Sequence, residues 1–397
     1  MSSEKIANSR PLGPSHRGPS LAGHICLVLV TTALLGCPKS GTPRRQVGNA
    51  PVPAAEPGPA TAGGPVVELT ETPATGHFPG KGPTKRPSAP WRVVLDGPIV
   101  HPLATDGEAV FAVADGQVYC AEQDGSIRWR ARVQADGPPA ALAAGIAVST
   151  LDDRVLVLDP QQGLKVSEHP SGGPLVGAPV ALGDDLVWVT EAGQVVSAAG
   201  WAVTGSDSAV GGGTVSGDHL VFGTRTGELV AVTREGVAWR MVMPGPAAAR
   251  PAIHDGVVYG VYEGLGGRPG GVAAVSLADG SPRWRTPLDR DPAASPSVAH
   301  VLLVPDRTGE LAGLDLVSGD RIWRAPVEGD LITRPALGRY AAYVGNADGR
   351  LHRFDPDDGG ETWSVQLGAT VSSDPVILGD LLMVGLADGS LLTLASE

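Results

Sequence analysis

Cysteine is nearly absent from the chain: Cys26, Cys37 and Cys120 are the whole set in 397 residues, and no two are adjacent. A disulfide-built scaffold is thereby excluded. Histidine is present but dispersed. His101, His169, His219, His254, His300 and His352 each stand alone in their stretch of sequence, so no metal-ligand spacing is legible and no cofactor is expected. Long apolar runs are missing as well. The one near-continuous stretch, ICLVLVTTALLG at 25–36, has twelve residues and is too short to cross a bilayer core of roughly 30 Å as a helix. Positive charge is scarce where the chain is longest. The formal net charge is −12 overall, and residues 91–397 hold 21 Lys and Arg against 38 Asp and Glu, a net −17. A body that acidic repels phosphate backbones and anionic headgroups, which excludes nucleic acid as a partner.

The N-terminus has a different character. Lys5, Arg10 and Arg17 precede the apolar run, and Leu34-Leu35-Gly36-Cys37 closes it. This pattern reads as a secretory signal ending in a bacterial lipobox. Residues 1–36 are then a lipoprotein signal peptide, and Cys37 is the lipidated first residue of the mature chain. The expected address is the bacterial cell envelope, on the periplasmic side of the outer or inner membrane, with the lipid as the only membrane contact. Cys26 would leave with the signal, so Cys120 would be the one remaining thiol, a small buried hydrophobe in GQVYCAE. Residues 38–90 contain twelve prolines among Gly, Ala, Thr and Ser with no periodic apolar pattern. Such composition cannot offset the entropy of ordering, and 37–90 is expected to be a disordered tether.

From Trp91 onward the sequence repeats. Trp91, Trp129, Trp201, Trp239, Trp284, Trp323 and Trp363 are separated by 38, 72, 38, 45, 39 and 40 residues, and the gap of 72 is two units. Trp188 alone lies outside the series, and Val166 stands where unit two should have its tryptophan. A period near 39 signals a repeat architecture. Unit seven, RPALGRYAAYVGNADGRLHRFDPDDGGETWSVQL, shows the frame: an inner strand A, strand B, an Asp348-Gly349 hairpin, strand C, a Gly turn, and strand D with the tryptophan. The frame starts again near 102, 139, 179, 214, 251, 296, 335 and 375. The last unit lacks a strand D, and WRVVL at 91–95 supplies one. The prediction is all-β: an eight-bladed β-propeller of four-stranded antiparallel blades over 91–397, closed circularly by its N-terminal strand and monomeric.

A strand ending in Gly, then D-G-x-L, an apolar strand and D-x-x-x-G-x-x-x-W resembles the quinoprotein-type tryptophan-docking repeat. YVGNADGRLHRFDPDDGGETW and LVPDRTGELAGLDLVSGDRIW are two instances. The resemblance implies that all seven tryptophans of the series dock between neighbouring blades. Quinone-dependent dehydrogenases of this family carry long insertions and often a Cys-Cys pair. Neither occurs here, so a non-enzymatic role is expected. In overall plan the chain is similar to the BamB lipoproteins of the outer-membrane β-barrel assembly machinery, which implies a scaffold that binds protein partners of that machinery. An envelope propeller for another protein or a glycan is the alternative. Residues at or just before each strand A should ring the channel mouth: His101, Thr214, Arg250, Ser295, Arg334 and Asp374. The Gly-rich hairpin around Arg268 should open on the same face. Arginines are scarce in this body, so Arg250 and Arg334 mark the place where an acidic loop or anionic group would pair with guanidinium.

Overall fold

A computed structural model describes residues 75–87 and 91–396; the signal segment, Cys37 and the tether up to residue 74 lie outside the described residues. Among the described residues there are eight four-stranded sheets, each a meander of neighbouring antiparallel strands. Blade one is representative: strand A Ala104–Thr105, B Val110–Ala114, C Gln117–Ala121 and D Ile127–Arg132. Strands B and C are buried throughout, whereas D alternates between buried and exposed positions. That gradient is what a blade requires, since its middle is packed against two neighbours and its rim faces water.

The hairpins follow from residue chemistry. Asp115 and Gly116 take φ of 47° and 68°. Two successive positive φ values make the type I′ turn whose twist matches the flanking strands. Closure is as expected from the sequence. Trp91–Val94 pairs antiparallel with Ser390–Leu394, placing Trp91 opposite Thr393 and Val94 opposite Ser390. The outer strand of blade eight is therefore the first strand of the propeller, and the ring has no unpaired inner seam.

Four tryptophans share one docking geometry. The Nε1 atoms of Trp129, Trp239, Trp284 and Trp323 donate to the backbone oxygens of Pro160, Leu277, Leu316 and Pro356 at 2.7–3.0 Å. Each acceptor lies in the C–D turn of the following blade. The D-x-x-x-G spacing builds three of these turns, and Ser276 stands for the Asp in the turn before Gly280. Asp159 Oδ1, for instance, accepts the N–H groups of Gln161 and Gln162, and Gly163 closes the turn at φ 69°. A Cβ on Gly163 would lie 2.5 Å from the Trp129 ring, and the same collision arises at Gly280, Gly319 and Gly359. Glycine is thus needed twice at each position, for its φ and for the ring above it.

The other three tryptophans of the series make no such bond to the next blade: Trp201 and Trp363 still pack in the clusters between blades, and only Trp91 is undocked. Trp91 is 63% exposed and its ring turns to solvent. Its platform, Glu122-Gln123-Asp124-Gly125, is shorter by a residue and begins with Glu, and Gly125 meets only the Trp91 Cβ, at 3.8 Å. Trp201 turns back onto its own blade, where Nε1 donates to Asp185 Oδ2 at 2.7 Å. The following blade offers it only the tight turn before Gly236, whose Cβ position meets nothing. Trp363 is buried with no acceptor for its Nε1 among the described residues. Conversely Trp188, outside the series, is 1% exposed. It donates to Ser171 O at 2.8 Å and packs with Ala140, Ala147, Val155 and Val157 of blade two. It fills from the other side the interface left open by Val166, which is 61% exposed.

A further difference lies ahead of the first blade. Residues 75–87, expected within the tether, pack on the propeller. Val298 N donates to Thr75 O, Leu337 N to Gly76 O and Phe78 N to Leu337 O at 2.8–3.0 Å, with His77 bridging Leu337 in parallel. Lys81 and Gly82 both donate to Gly379 O, and Tyr343 Oη donates to the carbonyls of Lys81 and Pro83. Phe78 is 4% exposed in the cluster shared by blades one, seven and eight. The segment thus spans the inner strands of blades six and seven and the A–B turn of blade eight. Proline and glycine forgo helix and strand patterning here, and backbone bonds to the inner strands supply the order instead.

Candidate binding site at the channel mouth

Strand A of most blades is preceded by proline, as in His101-Pro102, Pro138-Pro139, Arg334-Pro335 and Asp374-Pro375. Proline fixes the entering backbone in an extended form and carries no N–H. The collar these residues make around the channel is consequently poor in donors and apolar. Behind it lies a cavity of about 280 Å³. Blades one to three contribute Pro102, Leu103, Pro139, Ala141, Pro179 and Val180; blades five to eight contribute Arg250, Ser295, Arg334 and Asp374. Gly76 and Phe78 of the N-terminal segment are also in its wall, so that segment lies in the channel.

Of the residues expected at the mouth, the structure brings four together: Arg250, Ser295, Arg334 and Asp374 all line the cavity. Thr214 does not. Strand A of blade four starts earlier, at Val210, and Thr214 is fully buried with its hydroxyl donating to Pro251 O at 2.6 Å. Gly211 takes its place at the wall. His101 is half-buried beside the mouth rather than in the wall, and burial holds its pKa below the ordinary value against the pull of Asp136. Arg268 is exposed on the long hairpin between Val257–Tyr262 and Gly271–Ser276. That hairpin is clamped at its base: Asp291 Oδ1 accepts Gly264 N at 2.7 Å and Gly270 N at 3.2 Å.

Arg334, expected to offer its guanidinium to a partner, is largely enclosed. It is only 5% exposed. Its Nε donates to Pro296 O at 3.1 Å and to Ser297 Oγ at 3.2 Å, while its backbone N–H donates to Asp374 Oδ1 at 2.8 Å. Burial pushes the Asp374 carboxyl above its ordinary range, opposed by the Arg334 N–H and by the positive charges of Arg334 and Arg250. Arg250, Arg334 and Asp374 therefore form one electrostatic group across the channel. Among the described residues, two guanidinium groups and one carboxylate are the charged side chains of the cavity wall.

Away from the channel, little suggests chemistry. Cys120 is buried and burial pushes its thiol pKa up to about 12, so the reactive thiolate is suppressed. Among the described residues no three His, Cys, Asp or Glu side chains converge as a metal site.

Comparison with known proteins follows the same lines. A family model described as "Outer membrane protein assembly factor BamB" matches residues 88–200, 183–334 and 268–397. No curated protein matches the chain in sequence. Among solved structures, BamB from Moraxella catarrhalis superposes with a TM-score of 0.61 at 15% identity, covering 77% of this chain and 96% of that one. The computationally designed Ika8 protein gives 0.66 at 13% identity, covering 76% and 98%. Sqt1 from Saccharomyces cerevisiae gives 0.64 at 12% identity, covering 76% and 97%. At such identities the superpositions establish the propeller fold and nothing narrower.

Proposed function

Because the chain belongs to the family of outer membrane protein assembly factor BamB, we propose that it is a non-enzymatic scaffold of the bacterial envelope that binds protein partners in outer-membrane protein assembly. The observation that carries this reading is the span of the family match, which runs from residue 88 to 397 and so covers every blade. Blade economy supports it. Apart from the hairpin at 263–270, the described blades keep tight turns and offer no inserted domain to enclose a substrate. The mouth face, with Arg250 and the projecting Arg268, is the face on which such a partner docks. Cys37 and the lipobox before it supply the membrane anchor, and residues 38–74 are the tether between anchor and propeller. Two or more acyl chains, at about 0.8 kcal/mol per buried CH₂, hold a protein firmly where one chain does not.

The test is retrieval of a named class of partner. The purified full-length mature chain, incubated with detergent-solubilised envelope, should enrich components of the β-barrel assembly machinery by mass spectrometry. Enrichment of other envelope proteins in their absence would move the function to another assembly. The anchor is tested separately. Cys37→Ser should yield soluble periplasmic protein or unprocessed precursor, and a mature variant that still sediments with membrane would refute lipidation.

A further inference from the structure

Residues 75–82 run in a defined sense along the channel. His77 pairs in parallel with Leu337, Leu337 N donates to Gly76 O and Phe78 N donates to Leu337 O, so the segment lies beside strand A of blade seven and points the same way. Strand A descends from the mouth to the A–B turn. Downstream, the segment follows it there: Arg339 N donates to Gly80 O, and Lys81 and Gly82 donate to Gly379 O in the A–B turn of blade eight. Upstream, the chain climbs toward the mouth. It does so inside the ring, since Val298 N on the inner strand of blade six donates to Thr75 O and Gly76 stands in the cavity wall. The fit there is close. A Cβ on Gly76 would lie 2.4 Å from Ser297 Oγ and 2.6 Å from Arg334 Nε.

Counting up from Thr75, beside Val298, brings position 72 level with Ser295, which lines the cavity where the inner strand of blade six begins. At about 3.3 Å per extended residue, residues 70–74 cover roughly 16 Å, enough to clear the collar of strand starts. The opposite end of the channel is taken by residues 77–82, which lie on the inner strand of blade seven and on Gly379. We propose that the mouth of the channel is occupied by the protein's own chain: residues 70–74 pass through it, and the tether leaves the propeller on the face that carries the B–C hairpins. The stretch 38–69 is then rooted on that side, and a partner docking on the mouth face meets the tether before it meets the cavity. Continuity of the backbone imposes this path. Threonine, glutamate, proline and alanine at 70–74 bring little apolar area, so position and not melting temperature is the readout. The inference is independent of the scaffold reading, because it uses the direction of the backbone and no partner.

The test places pairs of thiols in the full mature chain carrying Cys37→Ser, in which Cys120 is buried. Thr72→Cys is combined with Ser295→Cys at the mouth, or with Tyr340→Cys, exposed on the A–B turn of blade seven, and each pair is offered a short bis-methanethiosulfonate. The product joining 72 to 295 should form within one chain and exceed the product joining 72 to 340 by at least about tenfold, since a threaded segment holds its thiol at high effective concentration near the mouth. Ala178→Cys, in the cavity wall of blade three, is a second mouth position should Ser295→Cys disturb the fold. Circular dichroism melts verify that each variant is folded. The proposal is overturned if folded variants join 72 to 340 as well as to 295, if neither mouth position joins to 72, or if the product at the mouth links two chains.

Discussion

At the scale of single residues, the tryptophan series separates into positions that do the same job and positions that only share a spacing. Trp323 is 9% exposed, sits above Gly359 and bonds to Pro356 of the next blade. Trp323→Ala should therefore cost about 3–5 kcal/mol, read from urea melts. Trp91, with its ring in solvent, should lose less than about 1 kcal/mol on the same change. Equal losses would mean that the exposed ring has a packed position in solution. Histidines give a pH signature. Burial holds His77, His101 and His352 below the ordinary value near 6.5, with His352 pulled the other way by Glu361 at 3.0 Å. A folded state that resists protonation loses stability as pH falls from the unfolded value of about 6.5 through the lowered one. Melting temperature should consequently drop between pH 7.5 and 5.5, before the carboxylates titrate. His352→Gln should flatten that slope, and an unchanged slope would assign the loss elsewhere.

At the scale of elements, the blades were legible and the segment 75–87 was not. D-x-x-x-G announces the C–D turn because Asp caps it and Gly fits beneath a ring. Where the five-residue turn is missing, as before Gly236, the preceding tryptophan, Trp201, has no glycine beneath its ring. The two absences could have been read together from the sequence. Residues 75–87 gave no such signal, since Thr75, Gly76 and Phe78 are held through backbone groups that every residue has. Burial of Arg334 was hidden for a related reason. Its partners, Pro296 O, Ser297 Oγ and Asp374, come from adjoining blades and converge only when the ring closes. Nor does spacing show that Trp188 substitutes for the tryptophan missing at Val166. The segment makes a distinct prediction. A chain starting at residue 75 should melt like the mature protein, whereas one starting at residue 88 loses Phe78 and its backbone bonds and should be less stable by at least about 3 kcal/mol. Starting at residue 97 also strips blade eight of Trp91–Val94 and should leave an aggregating edge. Indistinguishable melts for the starts at 75 and 88 would place the segment outside the stable core.

At the scale of the molecule, an acidic ring presents two unlike faces. One carries the B–C hairpins, the cavity mouth and the projecting Arg268; the other carries the A–B and C–D turns, including Val317, which is 88% exposed. The scaffold reading puts the partner on the first face. A photoreactive amino acid placed at Arg268, or at Val317, in cells producing the full-length chain tests this most directly, with adducts identified by mass spectrometry. Crosslinking from position 268 to a component of the β-barrel assembly machinery, absent from position 317, is the predicted result. No such adduct from either position, in protein shown to be folded and in the envelope, would contradict the account.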